Sequence, residues 1–194
     1  MTALRLSAAV LAGILTSGLV SAQEARLSPS SSRTLFAVTD SVKGDDGARI
    51  SATTTLVYEP SAGRYVHTVT DGDGRVLTRA VRSTSVVGPT PSEMRASREA
   101  IASHPEIAAL IEDARGEVTI DGGFPLVREQ GHACGPGGRC VTLDVWQTLD
   151  DGDRQRIRYV VVDLREIRVL EADADPQADS NLAHPAARQQ SRFQ

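Results

Sequence analysis

Cys134 and Cys140 are the only cysteines of the chain, and they lie in the stretch Gly131-His132-Ala133-Cys134-Gly135-Pro136-Gly137-Gly138-Arg139-Cys140. Two sulfurs this close can act as a redox pair or as a structural cross-link. Redox sites separate their cysteines by two residues, which puts the first sulfur at a helix N-terminus and lowers its pKa. Here five residues intervene and four of them are Gly or Pro, so Cys134-Gly135-Pro136 echoes such a site without its spacing. A disulfide between Cys134 and Cys140 is the expectation, contributing about 2 kcal/mol by closing so short a loop in the unfolded chain.

The four histidines, His67, His104, His132 and His184, show no metal-ligand spacing, so no metal site is expected. His67 is in step with Tyr65 and Val69 and reads as a half-buried sheet residue. His104 precedes a proline at a helix start, where exposure or capping accounts for it. His132 adjoins the cysteine loop and reads as an exposed loop residue. Asp71-Gly72-Asp73-Gly74 opens like a calcium loop, but Arg75 occupies the third ligand position and Arg82 the place of the bidentate glutamate. It is expected to be a hairpin turn, and Asp150-Asp151-Gly152-Asp153 a solvated one. Asp121-Gly122-Gly123-Phe124 has an acidic start and no following helix, which favours a tight turn over a phosphate loop. There is no Gly-x-Ser-x-Gly nucleophile motif. No catalytic residue and no cofactor are assigned, and the chain is read as a non-enzyme.

The elements that position these residues follow from local pattern. Runs at 35–42, 50–58, 65–70 and 76–81 are rich in Val, Thr, Ile and Tyr and are separated by Gly-, Asp- and Pro-bearing turns, which predicts an antiparallel meander. Thr90-Pro91-Ser92-Glu93 is a capping box with Pro at the first helical position. Met94 and Ile101 then give a thin apolar stripe. A second start at Ser103-His104-Pro105-Glu106 leads into Ile107, Leu110, Ile111 and Ala114 at helical spacing. Two short helices, or one broken at Pro105, are expected.

Strands resume at 117–120, 124–128, 140–148, 156–163 and 167–171. Val141, Leu143 and Val145 alternate with Thr142, Asp144 and Trp146; Ile157, Tyr159 and Val161 alternate with Arg156 and Arg158. One face of this second sheet must be covered, and the helices just upstream are the available cover. The fold class expected is α+β: an antiparallel β-meander followed by short helices packed on a second curved antiparallel sheet. A weak repeat, Arg64-Tyr65-Val66 with Arg75-Val76-Leu77 and Arg158-Tyr159-Val160 with Arg168-Val169-Leu170, brackets a hairpin in each half.

Residues 1–22 combine a basic start at Arg5, an apolar run through Leu11, Ile14 and Leu15, and the small residues Val20-Ser21-Ala22, the pattern of a cleaved export signal. The apolar run is shorter than the roughly 20 residues that span a bilayer. The mature chain is therefore expected to start at Gln23, to be periplasmic or secreted, and not to be membrane-embedded. Removing Arg5 with the signal takes the formal net charge from −4 to −5. All basic residues except Lys43 are arginines, scattered among acidic neighbours. That distribution reflects a coding bias better than phosphate recognition, and no nucleic-acid partner is expected. The divisions read from composition are a signal at 1–22, a flexible linker at 23–33, a β-meander half at 34–88, an α+β half with the disulfide loop at 89–171, and a disordered tail at 172–194.

The Thr-Pro-Ser-Glu start, the two helical turns, the Pro-Glu step and the strands ending in Arg158-Tyr159-Val160-Val161-Val162-Asp163-Leu164 resemble the small N-terminal domains of copper amine oxidases. Residues 56–81, followed by Gly88-Pro89-Thr90-Pro91, are similar to the closing hairpin of one such domain and the entry into its successor. The resemblance covers roughly residues 50–171 and implies a cystatin-like arrangement of helix on curved sheet. It carries over no catalytic residue. The chain has neither an Asn-Tyr pair nor a His-x-His motif, so no copper or quinone cofactor is implied, and the Cys134 to Cys140 loop has no counterpart in the comparison. What these features imply is an exported binding or structural accessory protein for an unknown protein or extracytoplasmic ligand, with a sheet edge or the disulfide loop as contact. The alternative implied by the cystatin-like arrangement is an inhibitor of an extracellular hydrolase.

Overall fold

The computed structural model describes residues 30–43, 47–176 and 181–182. The expected export signal and its cleavage site lie outside the described residues. The fold is α+β, as the sequence pattern predicts, with two four-stranded antiparallel sheets and two short helices.

The first sheet contains β1 (Arg33–Lys43), β2 (Arg49–Glu59), β3 (Arg64–Asp71) and β4 (Val76–Arg82), ordered as in the chain. Turn chemistry sets this order. A single 3-10 turn from Pro60 to Ala62 ends on Gly63 at φ +55° and returns the chain into β3. At the next turn the Asp71 carboxylate accepts the N–H groups of Asp73 and Arg75, as the hairpin reading requires. The register places Arg33, Phe36, Leu56, Tyr58, Tyr65, His67 and Arg82 on one face. The other face carries Thr39, Thr53, Thr55, Thr68 and Thr70. Strand β1 begins at Arg33, so the linker boundary drawn from composition falls one residue inside the sheet.

Two helices follow, α1 (Pro91–Ala102) and α2 (Pro105–Asp113), interrupted at Ser103 and His104. The Thr90 hydroxyl accepts the Glu93 N–H and the Glu93 carboxylate accepts the Thr90 N–H, so the capping box forms in full. His104 begins α2 without a capping bond from its side chain.

The second sheet contains β5 (Val118–Leu126), β6 (Cys140–Thr148), β7 (Arg154–Asp163) and β8 (Arg168–Glu171), again in chain order. Ile101 and Ile107 of the helices pack on Val141, Leu143, Val145, Val160, Val162 and Leu164, which form the main core. The opposite face is covered as well. Tyr159 and Val161 do not join Ile157 beneath the helices; they pack with Leu126, Ala174 and the two cysteines on the far side. A register shift between Val145 and Trp146 on the paired strand accompanies this departure from simple alternation.

Two further expectations are corrected. Asp121 to Phe124 is not a turn between two strands but a bulge inside the continuous β5, with Gly122 and Gly123 at φ +107° and +94°. A Cβ on Gly123 would lie 2.1 Å from the Met94 side chain, so the bulge makes room for the start of α1. The segment 172–194 is not disordered throughout. Ala174 is buried and bonds the Tyr159 carbonyl. The Asn181 side chain bridges Pro125 and Val127, and the Leu182 N–H bonds the Val127 carbonyl.

Candidate functional site

The two halves meet around one buried carboxylate. Glu93 is 0% exposed, and Arg139 grips it with two hydrogen bonds, Nε to Oε1 at 2.9 Å and Nη2 to Oε2 at 2.7 Å. Arg33 of β1 adds Nη1 to Oε1 at 3.2 Å and reaches the carbonyls of Leu164 and Arg165. Arg139 also donates to the carbonyls of Val87 and Gly88. Residues from β1, α1, the linking segment and the disulfide loop thus share one network. Burial pushes the Glu93 carboxyl up, but the Arg139 hydrogen bonds and charge, the Thr90 N–H and Arg33 outweigh it, so its pKa lies below the ordinary value. Burial likewise lowers the Arg139 pKa, and the Glu93 carboxylate more than reverses it.

Cys134 and Cys140 form the expected disulfide, with Cα atoms 5.3 Å apart. The loop it closes lies on the first sheet. Tyr58 donates its hydroxyl to the Gly137 carbonyl at 3.0 Å and Tyr65 donates to Gly138 at 2.9 Å. Burial raises the pKa of both phenols and keeps them in the donating form. The Gly137 N–H bonds the Ser83 carbonyl. Gly63 and Gly137 touch backbone to backbone: a Cβ on either would come within 3.2 Å of the other's carbonyl oxygen. Both sit at positive φ, where glycine alone is unstrained.

Beside this seam runs an open groove of about 580 Å³. Phe36, Leu56 and Tyr65 of the first sheet line it together with Val86, Val87, Val127, Pro136 and Leu182. His67 and Arg82 also line it. Arg82 is the register partner of Tyr65, and His67 lies two residues along β3 on the same face. Among the described residues neither side chain has an ion pair or hydrogen bond. Arg128, the remaining basic group of the lining, is held by Glu171 at 2.6 Å.

The other residues singled out by type are dispersed. His132 accepts the Cys134 N–H on Nδ1, which makes it a brace for the loop, and it borders a shallow depression of about 390 Å³. His104 stands at the α1 to α2 break, and His184 lies outside the described residues. Asp151 accepts the Asp153 N–H in an exposed turn. Among the described residues no three His, Cys, Asp or Glu side chains lie together in a way that would hold a metal ion. No helix among them is long and apolar enough to cross a membrane.

Sequence reasoning did not single out Arg33, Arg139 or the groove. Arg33 and Arg139 carry no local signal, because each meets Glu93 across many residues of chain. Glu93 was legible only as a capping residue. A scan against protein-family models and a search of curated proteins both return no match.

Proposed function

We propose that the protein is exported and acts without catalysis, holding an extended segment of another extracytoplasmic protein against the free edge of β4. The observation that carries this reading is the edge itself. Among the described residues β4 pairs only with β3 and leaves Val76, Leu77 and Val81 exposed at 54%, 37% and 56%. Soluble proteins usually blunt such edges with charge, bulges, proline or brevity. Strand β4 itself carries Arg79, Arg82 and a bulge at Leu77, yet it exposes three large apolar side chains where β1 and β5 expose one each, Val38 and Phe124, and β8 none. Strand β1 exposes mainly polar residues, β5 carries a bulge and Pro125, and β8 has four residues. An added strand would gain main-chain hydrogen bonds along β4 and place side chains against Leu77 and Val81 on one face.

Export is supported by the disulfide, which suits an oxidising compartment. The helices packed on residues 118–171 keep the likeness to the small N-terminal domains of copper amine oxidases as a proposal about fold, with no copper or quinone chemistry attached. The test compares wild type with a Val76→Lys, Val81→Lys double variant in a pull-down from the extracytoplasmic fraction. A strand-adding partner is retained by wild type only, and its binding slows amide exchange along β4. Equal retention by both proteins would move the contact elsewhere.

A further inference from the structure

We propose that the groove beside the seam binds a small amphipathic anion, its apolar body on Phe36, Leu56 and Tyr65 and its acidic head at Arg82 and His67. Arg82 ends β4, but the groove lies on the sheet face that carries Tyr65 and His67, opposite the face of Val81, so this proposal does not rest on a strand binding at the edge. A volume of about 580 Å³ falls within the roughly 300–1,000 Å³ of small-molecule clefts. Among the described residues the lining contains apolar and aromatic side chains, hydroxyls and basic groups, and no Asp or Glu. Its charge is therefore complementary to an anion and unsuited to a cation.

The basic groups are also placed to act together. Arg82 stands across from Tyr65, and His67 follows on the same face, which brings the two side chains to neighbouring positions on one patch of sheet. The guanidinium offers a planar fork that fits a carboxylate or a phosphate, and the imidazole can add one N–H. Glu171 occupies Arg128 and leaves Arg82 as the arginine of the lining without a carboxylate partner among the described residues.

Isothermal titration of the full mature chain with decanoate, decyl phosphate, decanol and decyltrimethylammonium tests this directly. Decanoate or decyl phosphate is expected to bind one to one, and the tighter of the two identifies the head group. Decanol and the cation should bind about tenfold more weakly or not at all, as should the preferred anion with Arg82→Gln. Arg82 is exposed, so that variant should keep the wild-type melting curve. Amide shifts on binding should cluster at residues 36, 56, 65 and 86. The Val76→Lys, Val81→Lys variant should bind the anion like wild type, which separates this proposal from the strand-edge reading. Equal affinity for decanol, indifference to Arg82→Gln, shifts centred elsewhere, or no binding by either anion would each overturn it.

Discussion

The second sheet is buried on both faces around residues 140–145 and 160–164, under α1 and α2 on one side and under the disulfide loop and Ala174 on the other. The first sheet has the same strand order, yet its buried cluster is confined to Leu56, Tyr58 and Tyr65, with Leu35, Phe36 and Val87 against it. The second half owns its core. The first half borrows stability from the seam, through Arg33, the two tyrosines and the paired glycines. A sheet whose outer strand β4 stays largely exposed can present an edge and a face to other molecules, which is where both proposed contacts lie.

The largest expected effect is at the seam. Glu93→Ala leaves two guanidiniums buried without their carboxylate and should cost about 3–5 kcal/mol in urea unfolding. A loss below about 1 kcal/mol would break the claim that this network joins the halves. The same residue sets an acid limit. Its folded-state pKa is depressed, so its contribution is complete above the ordinary carboxylate pKa and is lost as pH falls through the folded-state value. Glu93→Gln should flatten that part of the stability profile, read by melts across the acid range.

Next in size is a contrast between sheets. Leu143→Ala, in the fully buried core, should cost about 2–5 kcal/mol. Val38→Ala on the exposed part of the first sheet should stay within about 0.5 kcal/mol. Equal losses would show that the sheets are not so differently supported. A loss at the low end of the Leu143→Ala range is expected at the cross-link. Replacing both cysteines by serine should cost about 2 kcal/mol, and amide exchange should accelerate more in β2 and β3 than in β6. An unchanged melt would contradict a stabilising role.

Local signals were legible where one stretch of chain decides the outcome. Alternation through Val141, Leu143 and Val145 marked a buried face, and Thr90 with Glu93 marked a helix start. Paired glycines at 122 and 123 were ambiguous, because positive φ serves a turn and a bulge equally well. The pairing with β6, which continues from Gly122–Leu143 to Phe124–Thr142, decides for the bulge. The disulfide was legible from spacing. The groove was not, since Phe36, Tyr65, Val127 and Leu182 become neighbours only when the halves meet. The docking of residues 174, 181 and 182 escaped for the same reason: an Asn181 amide that donates to Pro125 and accepts from Val127 leaves no periodic trace in a polar tail.

The contact between Gly63 and Gly137 gives the chain a recognisable fingerprint. These positions lie far apart in sequence, yet both sit at positive φ, and a methyl group on either would press on the other's carbonyl and push it back by a few tenths of an ångström. Any kin that keep this way of joining two meanders should carry glycine at both places. Kin that have lost one should have let the halves drift apart.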